Sequence, residues 1–233
     1  MNKEKKMKIK FLGQNCFLFT YNGVTILSDP FYNYQKAQSG FDIKAQQIDY
    51  VLITHAHGDH IADVKEVLEN HPDATVIGQP EICGYFGHSN NIDINFGGSA
   101  KLDGLKISMV PALHTSSFPD GSYGGLASGY IFRFADGRNL YLAGDTGVTS
   151  EMSLFPQVFG KLDLSILPVG KHYTMCPRKA AFAASELLKT TKVIGCHFDT
   201  FPPIEINHED AKKHFSDKNI EFSLPKLGEE FEF

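Results

Sequence analysis

The chain has 233 residues, 42% of them hydrophobic and 21% charged, a mixture that supports a sizeable core and excludes intrinsic disorder. Lys+Arg is 22 against Asp+Glu 27, a net charge of −5, which disfavours non-specific nucleic-acid binding, where phosphate neutralisation dominates. No apolar run approaches the roughly 20 residues of a membrane-spanning helix.

The start, Met1 to Lys6, is charged, and the run that follows is broken by Gly13, Gln14 and Asn15, so it makes a poor signal-peptide core. Strands are predicted over 8–12, 17–21 and 24–27, with Asn22-Gly23 as a hairpin turn that needs positive φ. Asp29-Pro30 ends the third strand. A buried β-branched strand is expected over 48–54, then a helix over about 59–70, a strand over 74–77 and a short helix over 81–86. Further strands are expected over 105–110, 129–134 and 139–143, the last two joined at Asp136-Gly137, and over 162–168 and 193–196. Helices are predicted over 177–188, with Pro177 at its start, and 208–215, with Asn207 as N-cap. Strand meanders followed by α/β alternation predict a layered α/β fold with two sheets inside and helices outside, in one domain spanning 1–233.

The cysteines Cys16, Cys83, Cys176 and Cys196 form no CxxC pair, so reduced thiols in a cytoplasmic protein are expected. His71, His88, His208 and His214 lack partners at ligand spacing and are expected at the surface.

The most informative stretch is His55-Ala56-His57-Gly58-Asp59-His60, three imidazoles and a carboxylate in six residues directly after an apolar strand. Alternation lets His55 and His57 share one target, Gly58 allows a sharp turn, and Asp59 and His60 at a helix start can face the same point. Imidazole nitrogen and carboxylate oxygen suit zinc, manganese and iron. A polar turn with a capping aspartate explains one or two of these histidines, not all three. His114, Asp145 and His197 each follow a predicted strand, where loops gather ligands.

His-x-His-x-Asp-His followed by His114, Asp145 and His197 in that order resembles the metallo-β-lactamase superfamily. The resemblance covers nearly the whole chain. It is nearest to the small stand-alone bacterial metal-dependent hydrolases, similar to ascorbate-phosphate lactonases, through Leu27-Ser28-Asp29-Pro30-Phe31, Gly144-Asp145-Thr146, Pro168-Val169-Gly170 and Thr174-Met175. It implies a four-layer αββα sandwich and two adjacent divalent ions, zinc first, with manganese or iron as alternatives. His55, His57 and His114 would hold one ion, Asp59, His60 and His197 the other, and Asp145 would bridge them. Where related proteins often carry His after the first-strand glycine, this chain has Gln14.

Two cations and two aspartates leave excess positive charge, which suits an anionic substrate. The expected reaction is hydrolysis of a small anionic ester, lactone or phosphodiester by a metal-bridging hydroxide. Asp59 and His172 are the catalytic candidates, His172 as a donor to an oxyanion or leaving group. Asp29 is a candidate to orient a metal-bound imidazole, or simply a turn former. Action on RNA or DNA, a di-iron redox protein and a non-catalytic metal-binding module are the alternatives. The short, acidic chain favours a small-molecule substrate over nucleic acid, with no membrane partner. Oligomeric state is not readable.

Overall fold

The computed structural model describes residues 6–233, so residues 1–5 of the charged start lie outside the described residues. The chain divides into two compact units. One comprises the residues up to Ile94 with Ser117–Gly125 and Lys226–Phe233; the other comprises Asn95–Ser116 and Leu126–Pro225.

The first unit opens with an antiparallel meander of β1 (Lys8–Gly13), β2 (Cys16–Tyr21) and β3 (Val24–Ser28). Asn22 and Gly23 take φ of 53° and 82°, the left-handed pair that the Asn-Gly signal predicts for a two-residue hairpin. A single turn, α1 (Lys36–Ser39), ends on Gly40 and leads to β4 (Tyr50–Leu52), which pairs parallel to β3. β4 is shorter than the expected 48–54. The Thr54 N–H donates to the Asp29 carboxylate at 2.8 Å instead of to a neighbouring strand, so the backbone leaves the sheet there.

The expected helix over 59–70 is two helices, α2 (Gly58–Ile61) and α3 (Val64–Asn70). Asp63 breaks them. Its N–H donates to Pro30 O at 3.0 Å, and its carboxylate accepts from Asn33 N at 2.8 Å and Asn33 Nδ2 at 3.1 Å. These bonds tie the helix junction to the loop after β3. Next come β5 (Thr75–Gly78), α4 (Pro80–Phe86) and β6 (Asn91–Asp93). Leu27, Val51, Val64, Val76, Ile82 and Phe118 share one buried cluster of this unit, each such side chain contributing about 1.5–3 kcal/mol.

The second unit repeats the plan. β7 (Ser99–Leu102), β8 (Leu105–Pro111), β9 (Ser128–Phe134) and β10 (Asn139–Leu142) form an antiparallel meander. After it come α5 (Phe155–Phe159), β11 (Leu164–Pro168), α6 (Pro177–Phe182), β12 (Lys192–Cys196), α7 (His208–Ser216) and β13 (Glu221–Ser223), with β10 to β13 paired in parallel. The predicted helix over 177–188 keeps its start but widens into a π-helical turn over Ala183–Leu187, where Leu188 N donates to Ala183 O at 2.8 Å. Asn207 caps α7 by accepting from Asp210 N at 3.0 Å, and Phe215 of that helix stacks on Phe222 of β13 at 3.7 Å.

β14 (Glu230–Glu232) pairs with β1 and completes the first unit's sheet, ordered β14-β1-β2-β3-β4-β5-β6; the second sheet is ordered β13-β12-β11-β10-β9-β8-β7. β6, β7, β13 and β14, which the sequence pattern missed, are three- or four-residue strands with exposed or half-buried side chains, Ala100 excepted, and no apolar run. No helix among the described residues is long and apolar enough to cross a membrane.

Candidate metal centre

Each unit assembles its own group of the predicted ligands. In the first unit His55 and His57 follow β4, Asp59 and His60 lie in α2, and His55 and His60 are fully buried. Asp29, at the end of β3 with φ of 39°, organises them. Its Oδ1 accepts from Thr54 N at 2.8 Å; its Oδ2 accepts from the Thr54 hydroxyl at 2.7 Å and faces His60 Nδ1 at 2.8 Å. Burial pushes the Asp29 carboxyl up, against the pull of His60 and the two Thr54 donors. A carboxylate only accepts, so His60 carries its proton on Nδ1 and presents the Nε2 lone pair.

The Thr54 hydroxyl donates its one O–H to Asp29, so it accepts from His55 Nδ1 at 3.1 Å. One buried carboxylate thus fixes the tautomer of two imidazoles, one directly and one through a hydroxyl. His55 Nε2 then stands 3.0 Å from His57 Nδ1. Two nitrogens each 2.0–2.1 Å from one tetrahedral zinc lie about 3.3 Å apart, so this spacing fits a shared ion. His60 Nε2 is 3.6 Å from Asp59 Oδ2, and that oxygen accepts from Gln14 Nε2 at 2.7 Å.

In the second unit Asp145 and His197 are nearly fully buried. Asp145 Oδ2 lies 3.0 Å from His197 Nε2 and 3.6 Å from His114 Nε2, so a single carboxylate oxygen faces both imidazoles. The loop before His114 is held at Leu113, whose N–H donates to Thr146 Oγ1 and whose carbonyl accepts from Gly147 N, both at 3.0 Å. His197 takes φ of 53°. A Cβ at Gly170 would stand 1.9 Å from the His197 carbonyl oxygen, so only glycine allows this approach.

His172 is exposed on the loop after β11, with φ of 48° and its ring 4.5 Å from that of Tyr173. The loop is anchored by Met175 N donating to Thr146 O at 3.2 Å, next to Asp145. Of the expected surface histidines, His208 is exposed and pairs with Asp199 at 2.6 Å, and His214 is half-buried with Nε2 3.5 Å from Asp210. His71 and His88 are also half-buried, because they bond to backbone carbonyls of Ile43 at 3.0 Å and Ala74 at 2.9 Å. Two functional contacts escaped the sequence reading: the Thr54 relay, whose only signal was a hydroxyl preceding His55, and the Gln14–Asp59 bond.

The sequence profile of the beta-lactamase superfamily domain matches residues 8–197, a range that contains all seven predicted ligands. The chain belongs to the metallo-β-lactamase superfamily. It is similar to a UPF0173 metal-dependent hydrolase of Flavobacterium johnsoniae, 41% identical over 228 residues that cover 97% of this chain and 100% of the relative. Another, of Christiangramia forsetii, is 40% identical over 230 residues, with the same coverage. Among solved structures, Igni18, a metallo hydrolase of Ignicoccus hospitalis, shares 31% identity with a TM-score of 0.84 over 98% of each chain. The protein is therefore a metal-dependent hydrolase of this superfamily. Its two mixed sheets with helices agree with the expected α/β class and metallo-β-lactamase fold.

Proposed function

We propose that the chain is a binuclear hydrolase in which His55, His57 and His114 hold one divalent ion, Asp59, His60 and His197 hold the second, and Asp145 lies between. Zinc is the proposed metal, with manganese and iron as the other ions such ligands suit. The proposed substrate is a small anionic ester, lactone or phosphodiester, acted on in the cytoplasm without a nucleic-acid or membrane partner.

The observation that carries this reading is the Asp29–Thr54–His55 relay together with the Asp29–His60 bond. Imidazoles placed only for packing have no need of a buried carboxylate that fixes two tautomers, whereas ligands do. Bound divalent ions lower the pKa of water and polarise the scissile group. The chain's residues supply the rest. Seven ligand side chains carry only two negative charges, so the loaded centre keeps an excess of positive charge that draws an anionic substrate. Asp59 serves both as ligand and as a catalytic carboxylate. His172, on a loop anchored beside Asp145, donates the proton that the leaving group requires.

The test is metal analysis of untreated protein followed by a screen of lactones and phosphodiesters. Two ions per chain are expected, and His57→Ala or Asp145→Ala lowers metal content and hydrolysis together. Unchanged turnover in metal-depleted Asp145→Ala protein overturns the reading.

A further inference from the structure

Gln14 sits in the turn between β1 and β2, fully buried, with φ of 51°. It follows Gly13, whose φ of 110° is a backbone conformation that residues with a side chain rarely adopt. From this turn Gln14 Nε2 donates to Asp59 Oδ2 at 2.7 Å across 45 residues of sequence. The other end of the same amide, Oε1, is buried with no hydrogen-bond partner among the described residues.

A buried glutamine kept for stability satisfies both ends, because an unpaired buried acceptor costs its full desolvation. Gln14 satisfies only one, and that bond goes to a carboxylate beside the His60 imidazole. An amide N–H also holds a carboxylate without bringing a cation that would compete with a metal for it, as lysine or arginine would.

We infer that Gln14 is a positioning residue for the metal centre: its amide fixes the rotation of the Asp59 carboxylate and thereby raises affinity for the ion that Asp59 shares with His60. This inference rests on the ligand assignment proposed above.

The test uses the full-length metal-loaded protein, equilibrated against graded chelator buffers, with metal per chain measured. Melting of the chelator-stripped chain is measured in parallel. The variants are Gln14→Met, of similar length with no polar atom to leave unpaired, and Gln14→Asn, which keeps the amide and loses its reach. In both, one of the two ions is expected to bind about 10–100-fold more weakly while the other is unchanged. The stripped Gln14→Met chain is expected to melt no lower than wild type. Wild-type affinity for both ions in either folded variant overturns the inference. So does a lowered melting point of the stripped chain with both ions retained, which is the signature of a structural role. If Gln14→Met fails to fold, Gln14→Asn decides by the same metal criterion. Failure of the ligand assignment reads differently, as wild-type protein that itself holds fewer than two ions.

Discussion

Asp29 supports His60 directly and His55 only through Thr54, and the two supports are separable. Thr54→Val removes the hydroxyl while keeping the shape, so it releases the His55 tautomer and leaves His60 held. Metal retention under chelator challenge is expected to fall about 10–100-fold for one ion in Thr54→Val, and for both ions in Asp29→Asn. Equal losses in the two variants would break the relay argument. At Gly170, alanine has no space against the His197 carbonyl. Gly170→Ala is expected to destabilise by about 1–3 kcal/mol or more, as overpacking does, and to displace His197, read as a lowered Tm together with lost metal. The candidate ligands stood out in the sequence because imidazoles and carboxylates are rare at that spacing. Of their supports the sequence offered Asp29, beside its reading as a turn former, but not Thr54 or Gln14, since threonine and glutamine have many other uses and nothing local marks what they reach.

Elements with strong local signals appear where the pattern puts them. Asn22-Gly23 and Asp136-Gly137 make their hairpins because the left-handed backbone taken by Asn22, Gly23 and Gly137 is cheap only for such residues. Asn207 caps α7 for an equally local reason. The single helix expected over 59–70 was misread because its apolar spacing continues through Asp63, while the break comes from bonds to Pro30 and Asn33. One strand row carries a visible cost. Lys101 pairs across from Lys106, and Lys106 across from Arg133, so three cations lie side by side on β7, β8 and β9. Like charges directly opposite are destabilising. Lys106→Glu turns both pairs into opposite charges and is expected to stabilise by about 1 kcal/mol, raising Tm by about 2–4 °C. The gain shrinks at high salt as screening grows. A Tm that is unchanged at low salt would show that the row is fully solvated.

For the molecule as a whole, thiol burial sets an alkaline limit. Cys16, Cys83 and Cys196 are buried, whereas Cys176 is partly exposed. Burial pushes the Cys83 thiol up from 9.0 to about 11, and Cys16 shifts in the same direction. A folded pKa raised above the unfolded value means that the folded chain holds the proton more tightly. The corresponding stability is intact below pH 9 and is lost as pH rises through about 11. Tm is therefore expected to fall from pH 8 to pH 10.5, with a shallower fall in Cys83→Ala. Native protein is expected to expose one fast-reacting thiol, at Cys176, and the denatured chain all four.

The sequence by itself determined the types of the candidate ligands, their order along the chain, the main strands and the turns between them. These rest on short-range chemistry: side-chain alternation, left-handed turn residues, and donor atoms that suit a cation. Tertiary structure decided between the two readings of Asp29 and showed what holds His55, His60 and Asp59. Asp29 reaches Thr54 and His60 across 25 and 31 residues, and Gln14 reaches Asp59 across 45. Such contacts leave no period in the sequence, because they exist only once separate strands and turns have been folded to within hydrogen-bond distance of one another.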